Sequence, residues 1–197
     1  QKRGARCPFF RPARTPCRLT KFESDLLSQA EHGVDSQVVL IVFEEGFLQQ
    51  VLQAVEVQLE QLPRKALAQK ALENSVAVVM PNRATALDII NDYAPEHLIL
   101  AVEEVEKFAE GIKNAGSIFM GNYTPESVGD YASGTNHTLP TNGFARAYSG
   151  VSLDSFVKKI TYQKLTKEGL TNIAATVETM AAAEQLEAHR NAVAIRL

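Results

Sequence analysis

Residues 37–43 read QVVLIVF, a continuous apolar run that is rich in β-branched residues. Such a run is typical of a β-strand that is buried on both faces, because a half-exposed strand would alternate polar and apolar residues. After it the period changes, and apolar residues recur every four positions, at Phe47, Val51, Val55 and Leu59. This spacing predicts an amphipathic helix that follows the strand.

The same alternation of strand and helix continues as far as residue 120. Further strands are predicted at 76–80 (VAVVM), 98–102 and 117–120 (SIFM), the first of them again of the buried type. Further helices are predicted at 64–74, 85–93 and 105–113. Helices between strands imply right-handed crossovers. The predicted fold class is therefore α/β, with a parallel sheet flanked by helices on both faces.

Residues 121–150 break this pattern, since they are dense in Gly, Asn, Thr, Ser and Pro. A loop of this length in a compact domain is usually functional or disordered, and its four aromatic residues argue against disorder. Beyond it, residues 153–166 predict a short helix and a strand, and residues 170–189 predict one long alanine-rich helix. The last part of the chain is therefore expected to form a small helical appendage.

The first 21 residues differ in composition from the rest of the chain. They contain seven basic residues and no acidic one, together with both cysteines and three of the eight prolines. The prolines would interrupt the amphipathic helix of an organelle-targeting sequence, and the stretch has no apolar core of a secretory signal. We expect residues 1–22 to be a basic leader that is disordered or extraneous. Organelle targeting and a nucleic-acid-binding arm are the alternatives.

The overall composition excludes several classes of protein. With 45% hydrophobic and 22% charged residues, the chain can build a core, which a disordered protein cannot. No run of about 18 apolar residues occurs, so no membrane-spanning helix is expected. A net charge of -3 predicts no general attraction to nucleic acid. Two cysteines exclude a four-cysteine zinc site.

Two of the four histidines belong to candidate polar pairs. Gln29 and His32 are three positions apart in a predicted helix, so an oxygen and a nitrogen on one face could hold zinc. Glu96 and His97 are adjacent at the turn that enters a buried strand, and a carboxylate beside an imidazole can act as a general acid–base pair. An exposed polar helix face and an exposed polar turn are the simpler interpretations.

The other two histidines also have carboxylates nearby. Asp130 and His137 share the long loop, and Asp130 is expected at the carboxyl side of the sheet, where α/β proteins bind ligands. Turn formation is the simpler interpretation of that loop. Glu184 and His189 lie five positions apart, about 140° around a helix, so they would not converge on one ion. Together the histidine segments offer a full set of zinc ligands and a separate Glu–His pair.

Longer strings resemble the histidinol dehydrogenase family, over about residues 24–197. The strings are LLSQAEHG at 26–33, YAPEHL at 93–98, GDYASGTNHTLPTNG at 129–143 and EAHRNAV at 187–193. Members of this family contain zinc and perform two successive NAD-dependent oxidations. They convert L-histidinol through an aldehyde to L-histidine, which completes histidine biosynthesis. The resemblance implies a cytoplasmic homodimer that binds no membrane and no nucleic acid.

The resemblance also implies a domain organisation and a zinc site. Residues 23–151 would be the second half of a Rossmann-like main domain, and residues 152–197 a small helical dimerisation domain. The zinc ligands would be Gln29, His32, Asp130 and His189, with the last donated by the partner subunit. Donation across the interface would remove the difficulty with the helix geometry.

Catalytic and substrate-binding roles follow by the same motifs. His97 would take protons from the alcohol and from the hydrated aldehyde, and Glu96 would activate the water that adds to the aldehyde. His137 and Glu184 match positions that contact the substrate, with Glu184 reaching across the dimer interface. The four zinc ligands and His97 would touch the substrate as well.

The sequence also departs from the family. Family members are more than twice as long, and their NAD-binding domain precedes the segment that resembles LLSQAEHG. The sequence contains no G-x-G-x-x-G pattern, so we assign no cofactor-binding residue although NAD is the expected cofactor. We expect a C-terminal part of such an enzyme, with little or no NADH production by itself. An inactive zinc-binding or dimerisation fragment is the alternative.

Overall fold

The fold is built on five parallel strands. The computed structural model describes the backbone of residues 6–11 and 19–197, and side chains from Phe22 onward. The strands are β1 (Arg6–Arg11), β2 (Gln37–Val42), β3 (Val76–Val79), β4 (His97–Leu100) and β5 (Ser117–Met120). They lie in the order β3-β2-β1-β4-β5, and each neighbouring pair is parallel. The predicted α/β class is confirmed.

Eight α-helices accompany the described strands. They are α1 (Leu19–Ala30), α2 (Glu45–Leu59), α3 (Lys65–Glu73), α4 (Arg83–Tyr93), α5 (Val105–Ala109), α6 (Glu126–Tyr131), α7 (Lys167–Ala183) and α8 (Glu187–Ala194). Among the described residues, no helix is both long and apolar enough to cross a membrane.

Alternate residues of β2 serve two separate cores, as its uninterrupted apolar sequence predicts. Val38, Leu40 and Val42 pack with α1, α2 and α3 on one face of the sheet. Val39 and Ile41 pack with α4, α5 and β4 on the other face. Helices therefore cover both faces of the sheet. They form the crossover connections between its parallel strands.

The strand at 76–80 is less buried than its sequence suggests. β3 lies at the edge of the sheet, and Val76 and Val79 are exposed. The prediction of a strand was correct, but the prediction of a fully buried one was wrong. An apolar run shows that a strand packs against something, and it does not show where the strand lies in the sheet order.

The interpretation of residues 121–150 as one long loop was also wrong. A helix, α6, occupies Glu126–Tyr131, and a short 3-10 turn occupies Phe144–Arg146. Tyr123 and Tyr131 of this segment are largely exposed. The Gly and Pro content concealed the helix, because both residues lower helix propensity.

The segment after residue 150 differs from expectation in two respects. A 3-10 turn forms at Leu153–Phe156, but the strand predicted before residue 166 is not formed. The long helix is two helices, because α7 ends at Ala183. Gln185 adopts a left-handed φ of 60°, and the Leu186 N–H donates to the Ala181 carbonyl at 2.8 Å. This is a Schellman-type helix end formed without glycine.

The described part of the leader is a strand rather than a disordered segment. The backbone of Arg6–Arg11 pairs with β2 on one side and β4 on the other. Residues 1–5 and 12–18 lie outside the described residues. Whether the leader is extraneous to the protein stays a prediction.

The chain divides into two compact units. The first extends to Ser155 and contains the sheet, and the second is Phe156–Leu197 and contains α7 and α8. This boundary lies four residues after the predicted one. The dimerisation role of the second unit stays a prediction.

The amino end of β4 is held by a tight connection from α4 and by β5. Ala94 ends α4 in the left-handed region at φ 51°, although a residue before proline usually adopts an extended conformation. The Pro95 carbonyl accepts a hydrogen bond from Gly116 N–H at 2.8 Å, and the Glu96 carbonyl accepts one from Ser117 N–H at 2.8 Å. These two hydrogen bonds hold the backbone of Glu96 and the start of β4 in place.

Gly116→Ala should destabilise the fold by about 1–3 kcal/mol, because the new methyl group would overpack this contact. An added Cβ would lie 2.5 Å from the Glu96 carbonyl oxygen. The measurement is urea unfolding followed by circular dichroism. Gly46→Ala in α2 is the matched control, since nothing lies within 4 Å of its added Cβ. Equal stability of the two variants would contradict the tight approach.

Candidate functional site

Buried polar side chains gather at the amino edge of the sheet, beginning with Glu96 and His97. His97 is the first residue of β4, and Glu96 precedes it. The two residues are only 7% and 5% exposed. Among the described residues, neither ring nitrogen of His97 has a hydrogen-bond partner. The simpler interpretation of this pair as an exposed polar turn was therefore wrong.

The carboxyl end of α1 brings a second pair to the same edge. The helix begins at Leu19 and ends at Ala30, and the chain then enters the amino end of β2. Gln29 is 1% exposed, and within the described part of the chain both polar atoms of its amide lack a partner. His32 lies just after the helix and is exposed. The expectation that the two side chains share one face of a helix was therefore wrong, because α1 ends at Ala30, and Gln29 lies in the interior whereas His32 lies at the surface.

Helix α6 supplies two carboxylates one helical turn apart. Glu126 and Asp130 are separated by four residues, so they lie on one face of the helix. The ligand atoms of His32, Glu126 and Asp130 all lie within 4.8 Å of one another. This group has the nitrogen and oxygen donors that zinc accepts.

Asp130 does not lie at the carboxyl side of the sheet, where it was expected. The chain leaves β5 at Met120, and α6 carries Asp130 back beside His32, whose segment leads into the amino end of β2. The packing of α6 is close, since a Cβ added to Gly129 would lie 2.6 Å from the Phe119 ring. Asp130 and Glu96 therefore lie at the same, amino edge of the sheet.

Burial dominates the electrostatics of the site. Burial, and to a smaller extent the negative charge of Asp130, raise the pKa of Glu96 to about 7. Burial lowers the pKa of His97 to about 4, although Asp130 opposes this effect. At neutral pH His97 is therefore an uncharged imidazole, and Glu96 is poised between its two protonation states.

Glu126 is the site residue that the sequence analysis did not identify. It is 1% exposed, and its Oε1 lies 3.9 Å from His97 Nε2. Burial and the neighbouring Asp130 raise the pKa of Glu126 to about 7. Because His97 is neutral, this approach is not a salt bridge. The four-residue spacing from Glu126 to Asp130 could have indicated that the two carboxylates lie on one helix face. That inference requires a helix at this position, and the Gly- and Pro-rich composition concealed the helix.

Three other predicted site residues are not brought into this cluster. His137 is exposed on the segment after α6 and is outside the group of converging ligand atoms. Glu184 and His189 belong to the second unit, where both are exposed. The end of α7 separates them, so the argument from a single continuous helix was wrong. Their roles stay predictions.

The donors fit a divalent cation. A buried amide without a partner is costly, by roughly 1–3 kcal/mol, unless something satisfies it. Gln29 carries such an amide three residues before His32, whose ligand atom lies within 4.8 Å of those of Glu126 and Asp130. Beside this group stands the neutral imidazole of His97, which can accept a proton. The arrangement suits metal-assisted chemistry with general base catalysis.

Comparison with known proteins places this chain among its relatives. Residues 19–197 match the family profile described as histidinol dehydrogenase. The chain is 56% identical over 174 residues to histidinol dehydrogenase of Bacteroides thetaiotaomicron, covering 88% of this chain and 41% of the relative. It is 55% identical over 175 residues to the chloroplastic histidinol dehydrogenase of Arabidopsis thaliana, covering 88% of this chain and 38% of the relative.

A solved structure gives the same result. The crystal structure of histidinol dehydrogenase from Elizabethkingia anophelis matches with a TM-score of 0.92 and 52% identity, covering 100% of this chain and 45% of that one. The resemblance found in the sequence is confirmed. The chain spans about two fifths of the length of the Bacteroides and Arabidopsis enzymes.

Replacing Glu96 with Gln should stabilise the metal-free fold in a pH-dependent manner. The folded pKa of about 7 lies above the unfolded value, so the folded state holds this proton more tightly. The stability that Glu96 contributes is present below about pH 4.5 and is lost as the pH rises to 7. Since Gln mimics the neutral acid, the variant should gain up to about 3 kcal/mol above pH 7 and little at pH 4.

The measurement is urea unfolding at a series of pH values with chelator present. Glu103→Gln, at an exposed position after the same strand, is the matched control and should show no such trend. A Glu96→Gln curve parallel to that of the wild-type chain would contradict the burial of an uncharged Glu96.

Proposed function

Because the chain belongs to the histidinol dehydrogenase family, we propose that it carries the zinc site and the catalytic bases of such an enzyme. The reaction would be the two-step, NAD-dependent oxidation of L-histidinol to L-histidine through the aldehyde. The observation that carries the proposal is the buried, neutral His97 beside a converging group of metal-binding donors. A fold-level likeness alone would not support a reaction, because function depends on the site.

Three residues of the first unit would hold the zinc ion. They are Gln29, His32 and Asp130, and they supply an amide oxygen, an imidazole nitrogen and a carboxylate. His189 of the partner subunit would complete the set in a homodimer. Zinc would serve mainly as a template that orients the imidazole and amine of L-histidinol. The unsatisfied Gln29 amide and the convergence of His32 with Asp130 support this assignment.

His97 would act as the general base in both oxidations. Its lowered pKa keeps the imidazole neutral near pH 7, so a ring nitrogen is free to accept the proton of the substrate hydroxyl. As that proton moves to His97, the carbon-bound hydrogen would leave as hydride to NAD⁺, which would be reduced to NADH. In the second oxidation, the same imidazole would take the proton of the hydrated aldehyde.

Glu96 would activate the water that adds to the aldehyde. With a pKa of about 7, the carboxyl changes protonation state near neutral pH, so it can accept a proton from water and release it again. Glu96 immediately precedes His97, the first residue of β4, so the two bases lie at the same edge of the sheet. His137, and Glu184 of the partner subunit, would contact the substrate.

We assign no NAD-binding residue in this chain. The proposed location is the cytoplasm, although one relative is described as chloroplastic. Organelle targeting by the leader is the alternative.

Zinc content tests the ligand assignment. His32→Ala and Asp130→Asn should each lower zinc occupancy strongly, because each removes one donor of the set. The measurement is elemental analysis after dialysis against a zinc buffer, with the fold checked by circular dichroism. The double variant Cys7→Ser and Cys17→Ser is the control and should retain one zinc per subunit. Loss of zinc from the cysteine variant would refute an oxygen–nitrogen site.

Turnover tests the proposed reaction. The zinc-loaded chain is incubated with L-histidinol and NAD, and NADH absorbance is followed alongside calorimetric binding of L-histidinol. His97→Asn should bind L-histidinol but lower any turnover by roughly 10²–10⁴-fold, because the base is lost. The wild-type chain should bind L-histidinol with little or no turnover, and clear NADH production by this chain alone would contradict that expectation. Absence of both binding and turnover would refute the proposed site.

A further inference from the structure

We propose that Asn91 is a positioning residue, which sets the direction of the Glu96 and His97 side chains by tying the end of α4 to the loop that enters β5. This inference rests on the proposed function, since the two side chains that it positions are the proposed bases. Asn91 lies in the last turn of α4, five residues before Glu96 in the sequence.

Hydrogen bonds of their own do not hold the two bases in direction. Among the described residues, the Oε2 of Glu96 and both ring nitrogens of His97 have no hydrogen-bond partner. The His97 ring packs beside Phe119 of β5, with the ring centroids 5.9 Å apart. The direction of each side chain therefore depends on the backbone that carries it and on how closely β5 approaches β4.

Asn91 uses both ends of its amide on the loop between α5 and β5. Its Nδ2 donates to the Gly111 carbonyl at 2.9 Å. Its Oδ1 accepts from the backbone N–H groups of Lys113 at 2.6 Å and Asn114 at 3.2 Å. The Asn114 side chain answers in the other direction, because its Nδ2 donates to the Asn91 carbonyl at 2.8 Å. Four hydrogen bonds thus join the end of α4 to this loop.

The same loop reaches the bases at its other end. The N–H groups of Gly116 and Ser117 donate to the carbonyls of Pro95 and Glu96, both at 2.8 Å. A Cβ added to Gly116 would lie 2.5 Å from the Glu96 carbonyl oxygen, so this end of the loop cannot approach Glu96 more closely. The loop is therefore fastened at both ends, and a shift at Asn91 is passed to the backbone of Glu96.

The backbone between the two fastenings adopts an unfavourable conformation. Ala94 has a left-handed φ of 51° and precedes a proline, which disfavours any helical conformation in the residue before it. Such a conformation persists only where the surrounding structure enforces it. The Asn91 bonds lie just before Ala94, and the bonds of Pro95 and Glu96 lie just after it. Without the former, the turn can relax toward an extended conformation and rotate the backbone that carries both bases.

A role in stability alone leads to a different expectation. Loss of a merely stabilising Asn91 would lower the free energy of unfolding and leave the folded state around His97 unchanged. Loss of a positioning Asn91 would change the surroundings of the His97 ring in molecules that remain folded. The two roles are therefore separated by a signal from the His97 ring itself.

The test compares Asn91→Ala with the wild-type chain by NMR of the histidine rings, on the whole chain at pH 7 with chelator present. The His97 signal is assigned by its loss in His97→Gln. Asn91→Ala should shift or split this signal. It should also raise the rate at which diethyl pyrocarbonate modifies His97 by roughly tenfold, because lost hydrogen bonds ease local opening. Asn91→Asp keeps the acceptor for Lys113 and Asn114, so it should lie between the wild-type chain and Asn91→Ala.

Val51→Ala is the matched control, because it removes part of a buried side chain from α2, in the core on the other face of the sheet from α4. It should lower stability and leave the His97 signal and modification rate unchanged. An unchanged His97 signal in Asn91→Ala, or equal changes in Val51→Ala, would overturn the positioning role.

Asn114→Ala provides a second variant that removes only one hydrogen bond of the same contact. It should change the His97 signal in the same direction as Asn91→Ala and to a smaller extent, and an unchanged signal would count against the proposal even if Asn91→Ala does not fold. Failure of the wild-type chain to bind L-histidinol would refute the proposed function. The His97 signal would still decide whether Asn91 positions this side chain.

Discussion

The burial of polar groups that lack partners is the constraint on which the site depends. Among the described residues, Gln29, His97 and Glu126 are nearly inaccessible to water, yet each has polar atoms without a hydrogen bond. Each such group costs roughly 1–3 kcal/mol, which is a large share of the stability of an ordinary domain. The two apolar cores on either side of β2 must supply that stability. A surface site with the same residues would be more stable and would lack the altered pKa values.

The helices place the site at the amino edge of the sheet. The parallel strands alone would favour a site at the carboxyl edge. In open α/β sheets, ligands usually bind beyond the carboxyl ends of strands. Here Gln29 lies at the end of α1, close to the amino edge. Asp130 lies at the same edge because α6 follows β5 and packs beside His32. The backbone bonds of Pro95 and Glu96 to β5 then set His97 at the start of β4. Three separate connections therefore converge on one edge.

The sequence predicts well the features that depend on the local spacing of apolar residues. The run at 37–43 and the four-residue spacing after it correspond to β2 and α2, and SIFM corresponds to β5. Features that depend on neighbours are poorly predicted. The edge position of β3 depends on strand order, and α6 depends on packing against Phe119, which outweighs the poor helix propensity of Gly129.

The same distinction applies to the site. The spacing of Gln29 and His32 predicted a shared helix face, but α1 ends before His32. The approach of His32 to Asp130 depends on the whole sheet that separates the two residues in sequence. Resemblance provided that long-range information for the ligands. It did not provide Glu126, because the resemblance assigned no role to that position. The burial of Glu96 and His97 was likewise hidden, since an adjacent Glu and His occur more often in exposed turns.

Asp130 links the electrostatics of the two bases to the cation site. Its negative charge contributes to the raised pKa of Glu96 and opposes the lowering of the His97 pKa by burial. A cation held by Asp130 would offset that charge, since a bound metal ion is usually the largest local charge in its site. The pKa of Glu96 would then fall and that of His97 would fall further. Both shifts favour the proton-accepting forms, so metal binding and base strength are coupled through one carboxylate.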